Sequence, residues 1–213
     1  MRTIEVTGEY KKEFKPDEIT FTISIEEYWE EEFQKGKEYE DYRTKVNITT
    51  IEESLMQELG NMEIDMKSIT LKHTGNHWRQ RGKDFLIAKT MDIKLGSFAK
   101  ANELSNALTT RGIRNMSVSK LTLNDRELQD INAKTEALKA AKVKAERIAN
   151  TIDKKIKDVV SIVEVDSYIG VNPRPYTNSA NAMLRSASAE GAQYDNFKKI
   201  EIKAVVRVVW ELE

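Results

Sequence analysis

Cysteine is absent from the 213 residues. That excludes disulfide bonds, thiol nucleophiles and cysteine metal sites, and it fits any compartment. Histidine occurs only at His73 and His77, a pair with no third ligand at diagnostic spacing, so no metal centre is expected. No apolar run approaches the length of a membrane span. A charge excess is missing as well. The net charge is -1, which argues against a nucleic-acid partner. The glycines are dispersed along the chain, a pattern that suits turns and bulges rather than a phosphate cradle. There is no P-loop, no dinucleotide fingerprint, no nucleophile elbow and no zinc-protease helix. No cofactor is expected, and no residue stands out as catalytic.

What is present is a highly charged globular composition, 39% hydrophobic and 32% charged, neither disordered nor membrane-spanning. The length suits one large domain or two small lobes. Residues 3–14 read as a strand with Ile4 and Val6 on one face, and Gly8 within it suggests a bulge or a close backbone approach. Lys15-Pro16-Asp17 reads as a turn. Ile19, Phe21, Ile23 and Ile25 then alternate with Thr20, Thr22 and Ser24, which is the pattern of a half-buried strand. A helix is expected from about Glu38 to Gly60, with Ile48, Ile51, Leu55 and Leu59 buried and Tyr42 and Val46 extending the stripe backwards. Strands are expected at 66–74 and 84–95. Ser97 caps a short helix bearing Phe98, Ala101, Leu104 and Leu108 and ended by Gly112. Ile113–Leu123 is another strand. The last strand carries Ile200, Ile202, Ala204, Val206, Val208, Trp210 and Leu212 on one face. A strand this regular should be paired inside a sheet, because as an edge it would invite another chain.

Three stretches could carry function. Residues 26–42 combine many carboxylates with Tyr28, Trp29, Phe33, Tyr39 and Tyr42. They suggest a docking surface for a basic partner or a cation site, or, more simply, a solvated strand end whose aromatics pack locally. No histidine or lysine stands at the defined spacing that acid–base work would need. His73 to Lys83, with Trp78, reads as an exposed hairpin end, with a metal site or a base-stacking patch as weaker readings. Residues 167–199 read as a long flexible loop, and loops this long are usually functional or disordered. It carries Tyr168, Tyr176, Met183 and Leu184, and its Ala180–Leu184 portion could dock on a neighbouring subunit.

The longest helical pattern lies near residues 125–152 and is alanine-rich. Asn124 or Asp125 can cap it. Ile131, Leu138, Ala141, Ala145, Ile148 and Ile152 fall on one stripe, widened by Ala137, Ala140 and Ala149. Such a helix can lie close against a sheet. Its asparagine–aspartate turn and the run Lys144-Ala145-Glu146-Arg147-Ile148-Ala149, followed by a hydrophobic strand, resemble the C-terminal half of the SIMPL domain family. Ile4-Glu5-Val6-Thr7-Gly8-Glu9 and Lys15-Pro16-Asp17 resemble that family's opening. The order of elements between these ends also matches, so the resemblance covers essentially the whole chain, 1–213.

The resemblance implies a bacterial protein without established catalytic residues. Relatives include periplasmic and outer-membrane-associated proteins, some linked to oxidative-stress defence, and at least one forms a ring-like homo-oligomer. Family members commonly carry a secretory signal just ahead of this opening. Periplasm or cell envelope is therefore expected if such a signal was removed, and cytoplasm otherwise. The expected fold is α+β, with helices packed on mixed or mostly antiparallel sheet, as one domain or as two lobes subdivided near residue 96. The expected function is a non-enzymatic, self-assembling cell-envelope or stress-related scaffold, with a homo-oligomer and a protein as the partners. The alternative is a small-molecule or peptide binding module with a groove between lobes. The candidate interaction residues are Trp29, Trp78, Tyr168, Tyr176, Met183 and Leu184. A hydrolase built on scattered carboxylates is the least supported reading.

Overall fold

The computed structural model describes residues 2–79, 84–171 and 199–213. In chain order the elements are β1 (Thr3–Phe14), β2 (Glu18–Glu26), β3 (Tyr28–Trp29), β4 (Lys45–Val46), α1 (Ile48–Asn61), β5 (Ile69–Arg79), β6 (Asp84–Leu95), α2 (Phe98–Ala107), β7 (Ile113–Thr122), α3 (Arg126–Thr151), β8 (Ile156–Val171) and β9 (Ile200–Leu212). This is an α+β fold on antiparallel sheets. The described residues form two compact units, one of 2–16, 123–171 and 199–213, the other of 17–79 and 84–122. Gly96, near the subdivision expected from sequence, lies inside the second unit.

In the second unit the sheet order is β5-β6-β2-β7. Central β2 follows its alternation: Ile19, Phe21, Ile23 and Ile25 are buried, and the last three join Leu55 and Leu59 of α1, Met91 and Ile93 of β6, and Leu104 of α2 in one core. Each such side chain contributes about 1.5–3 kcal/mol through burial. The first long helix starts ten residues later than the sequence pattern suggests. Asn47 ends the extended segment and caps α1, its side chain accepting from the Thr50 amide at 3.0 Å. Upstream, Lys45–Val46 pairs with Tyr28–Trp29 as strand, so Tyr42 and Val46 do not extend the helical stripe. Ser97 caps α2 by accepting from the Lys100 amide at 3.3 Å. That helix ends at Ala107 rather than running to Gly112, which instead takes a φ of +94° in the following turn.

In the first unit the sheet order is β1-β9-β8. β9 is central, and Ile200, Ile202, Ala204, Val206, Val208 and Trp210 are all buried. The helix α3 packs on β1 and β9 through Ala133, Ala137, Ala141, Ala145 and Ala149. This matches the stripe read in the sequence at Ala137, Ala141, Ala145 and Ala149 and differs elsewhere, because Ile131, Ala140, Ile148 and Ile152 are exposed, Leu138 is half-buried, and Ala133 joins the inner face. The four-residue spacing of the alanines offers a surface without bulk, and the sheet meets it with Gly8. A Cβ built on Gly8 would stand 2.1 Å from the Ala137 carbonyl oxygen. Asp125 occupies the N-cap position of α3 without a side-chain capping bond. β8 continues to Val171, so Ser167–Val171 are strand rather than loop. Strand geometry there is held by backbone pairing with Ile200–Ala204 of β9, a long-range partner that local composition does not announce. Residues 172–198 of the expected loop lie outside the described residues.

Candidate assembly surface

β8 lies at one edge of the first unit's sheet, with β9 as its neighbour among the described residues. Its sequence, IKDVVSIVEVDSYIGV, is rich in β-branched residues, which favour the strand. Because α3 sits over β1 and β9, β8 receives little cover from that helix. Ile162 and Val163 are 52% and 51% exposed. Consecutive strand residues point to opposite faces, so neither face is buried here. Val159, Val160 and Val165 are likewise about half exposed. Lys134 ties α3 to this strand, bridging Glu164 of β8 at 3.0 Å and Asp130 of its own helix at 3.2 Å. Hydrogen bonds to Glu164 and then Asp130 raise the Lys134 pKa. The opposite edge, β1, is different in kind. It carries Glu5, Glu9, Lys11, Lys12 and Glu13, the charges with which an edge strand discourages pairing.

The structure disperses the residues singled out from sequence. Trp29 sits half-buried in β3 opposite Lys45, its amide donating to Glu32 Oε1 at 3.0 Å. Trp78 pairs with Phe85 across the β5–β6 hairpin. Both belong to the second unit, whereas Tyr168 belongs to β8 of the first, opposite Lys203, and is exposed. Tyr176, Met183 and Leu184 lie outside the described residues. His73 is exposed on β5 opposite Thr90, and His77 pairs with Leu86. Among the described residues no group of three or more His, Asp or Glu could hold a metal ion. Among them, too, no helix is long and apolar enough to cross a membrane.

The acidic segment contains buried structure that the sequence pattern hides. Glu27 accepts from the Ile48 amide at 3.3 Å and the Ile87 amide at 2.9 Å, and pairs with Lys45 at 2.7 Å. Burial pushes its pKa up, but the Lys45 bond and these two amides outweigh burial and hold it below the ordinary value. Glu31 accepts from the Thr44 hydroxyl at 2.9 Å and from the Thr44 amide. Against the upward push of burial, its own amide, the Thr44 donors and the Arg43 amide pull it down to about 2. Glu58 of α1 accepts from the Thr109 amide at 2.9 Å, the Thr109 hydroxyl at 2.8 Å and the Thr110 amide at 3.2 Å. Its pKa is also lowered, since these bonds exceed the effect of burial. These carboxylates tie loops to strands and helices, and their oxygens are engaged by structural donors. One sequence signal could have found Glu27: it follows Ile23 and Ile25 at the same parity and so points inward. The aromatics of this segment pack on one another, Tyr28 edge-on to Phe33 at 5.2 Å and Tyr39 to Tyr42 at 5.3 Å.

The sequence motifs from the two ends of the chain meet in the first unit. Gly8 on β1 lies under Ala137 and Ala141, and Lys144 Nζ donates to the Thr7 carbonyl at 3.4 Å. The opening strand and the alanine-rich helix therefore form a single packing device. The sequence model of SIMPL, described as a protein of unknown function (DUF541), matches residues 4–210. No curated protein matches the chain. With a family match over nearly its entire length, this chain belongs to the SIMPL family.

Proposed function

We propose that this protein is a non-enzymatic, self-assembling scaffold of the cell envelope. The observation that carries the reading is exposed apolar surface: β8, an edge strand among the described residues, has Val159, Val160, Ile162, Val163 and Val165 about half exposed, and beside it α3 exposes Leu128, Ile131, Val143, Ile148 and Ile152. Apolar surface of this extent marks interaction sites in stable proteins. The buried carboxylates point the same way, since they serve as structural acceptors rather than as free acid–base groups. A place in the periplasm or envelope, and a part in stress defence, follow from the family likeness. The test is mass in solution, by size-exclusion chromatography with light scattering over a wide concentration range. A defined oligomer is expected, and a monomer at every concentration would overturn the reading.

A further inference from the structure

Charge divides α3 into two unlike halves. Residues 126–136 carry two cations and three carboxylates, whereas 137–157, from the second half of the helix to the start of β8, carry seven cations and two carboxylates. A net charge of +5 is thus gathered in one short stretch of a chain whose total is -1. The helix dipole does not account for it, because that effect falls off within the last turn and the last turn of α3 holds no basic residue. Lys139, Val143 and Arg147 each follow a buried alanine by two positions, about 200° round the helix, so they lie on the face turned away from the sheet. Lys142 and Lys144 flank that face, and all four cations are exposed. Among them stand aliphatic side chains: Val143 is 55% exposed, Ile148 41% and Ile152 56%.

We propose that the second half of α3 is a docking surface for an anionic lipid bilayer, with its cations among the lipid phosphates and its aliphatic side chains at the boundary of headgroup and acyl chain. This goes beyond the assembly reading, which keeps β8 and the first half of α3 with Leu128 and Ile131, and it does not depend on it. Interleaved cations and aliphatics are the chemistry of helices that lie in a membrane interface, and lysine stems can rest on the acyl boundary while their ammonium groups reach the phosphates. A single-stranded nucleic acid would call for aromatic stacking as well, and residues 126–157 contain no Phe, Trp or Tyr. Lys139 pairs with Glu136 at 2.7 Å and Lys142 with Glu146 at 3.9 Å, in both cases on the surface. Such pairs contribute little, so lipid phosphates can replace them. Lys144 donates to the neutral Thr7 carbonyl at 3.4 Å and keeps its full charge. The row of buried alanines already fixes this face on β1 and β9, so docking orders no new helix. Three half-exposed aliphatics are too few to hold a bilayer alone. Attachment therefore requires anionic lipid and weakens as salt screens the cations.

The test is co-sedimentation of the full-length protein with vesicles of phosphatidylcholine alone and of phosphatidylcholine mixed equally with phosphatidylglycerol. Binding is expected to the mixed vesicles only, and to fall with added salt. The double variant Lys139→Gln and Lys142→Gln keeps helix-forming side chains on the surface, so its circular dichroism spectrum should match the wild type. Its affinity for the mixed vesicles should drop about fivefold for each cation removed. Lys67→Gln with Lys94→Gln removes two exposed cations of the second unit and should leave binding unchanged. The absence of cysteine lets Val143→Cys carry a single environment-sensitive dye, whose emission should shift to the blue on the mixed vesicles. No sedimentation with the mixed vesicles, equal sedimentation with neutral ones, or equal losses from the two lysine pairs overturns the proposal. Binding of a short DNA duplex as tight as that of the mixed vesicles would reveal a general polyanion site and would also overturn it. The mass of the Lys139→Gln, Lys142→Gln protein by light scattering should equal that of the wild type, so a failure here and a failure of assembly are read separately.

Discussion

Replacing Gly8 with alanine sets two effects against each other, and their sizes decide the sign. Alanine at a strand position restricts the unfolded chain and should stabilise by about 0.5–1 kcal/mol relative to glycine. Here, however, the new Cβ would stand 2.1 Å from the Ala137 carbonyl oxygen, 2.6 Å from the Ala141 amide nitrogen and 2.8 Å from the Ala141 Cβ. Ordinary contact begins near 3.4 Å, so α3 must retreat and loosen its alanine stripe. Overpacking of this kind costs about 1–3 kcal/mol, and more when backbone must move. The clash therefore wins, with a net loss of about 1–2 kcal/mol. The assay is the guanidinium unfolding midpoint of wild type and Gly8→Ala, followed by circular dichroism. Adding Ala141→Gly should not rescue the variant, because the nearest collision is with the Ala137 backbone, and glycine within a helix costs about 1 kcal/mol itself. Gly8→Ala as stable as wild type would refute the close-approach argument.

The remaining predictions concern the carboxylates and the exposed helix face. Glu27→Gln keeps the shape but loses the charge opposite Lys45 and one acceptor for the Ile48 and Ile87 amides. It should cost about 1–3 kcal/mol in urea unfolding, and a loss under about 0.5 kcal/mol would contradict the assigned role. Stability should also depend on pH in one direction. Glu31 holds its proton more weakly folded, at about 2, than at the ordinary value of 4.5, so the unfolded chain takes up protons first as pH falls. The contribution of Glu31 is thus complete above about 4.5 and is lost between there and about 2, with Glu27 and Glu58 shifted in the same direction. Urea midpoints should be flat near neutrality and fall in that window, and a midpoint that rises on acidification would count against these bonds. Finally, Ile131 is 54% exposed, so Ile131→Lys should change thermal stability at low protein concentration by no more than about 0.5 kcal/mol, whereas a core position would lose several times that.

Where period alone determines burial, the fold was legible in the sequence. The alternation of Ile19 to Ile25 and of Ile200 to Trp210 identified central strands, because each is bounded by neighbours on both sides and one face is sealed by helices. Gly8 was readable as a close approach, although not the helix that makes it. Two misreadings have physical causes. In α3 the large aliphatics drew the predicted stripe, but a helix pressed on a sheet selects the smallest residues, and Ala133 to Ala149 take the inner face. Around residues 38–46 the apolar spacing resembled helix, while the chain is committed to the β3–β4 pairing and to the Glu31 bonds with Thr44, partners that a local window does not see. The candidate surface was only partly legible. Tyr168 was singled out as an aromatic in a loop, whereas the feature around it is the apolar edge of β8, whose exposure depends on where α3 lies. The regularity of β9 marks a strand paired inside a sheet, and β9 is indeed central, whereas nothing in the local pattern of β8 places it at an edge among the described residues.

The central claim is that this chain assembles with itself, and light scattering on the eluting protein tests it most directly. From micromolar to high micromolar concentration the expected mass is a fixed multiple of 24.5 kDa. A constant mass of one chain across the whole range would contradict it.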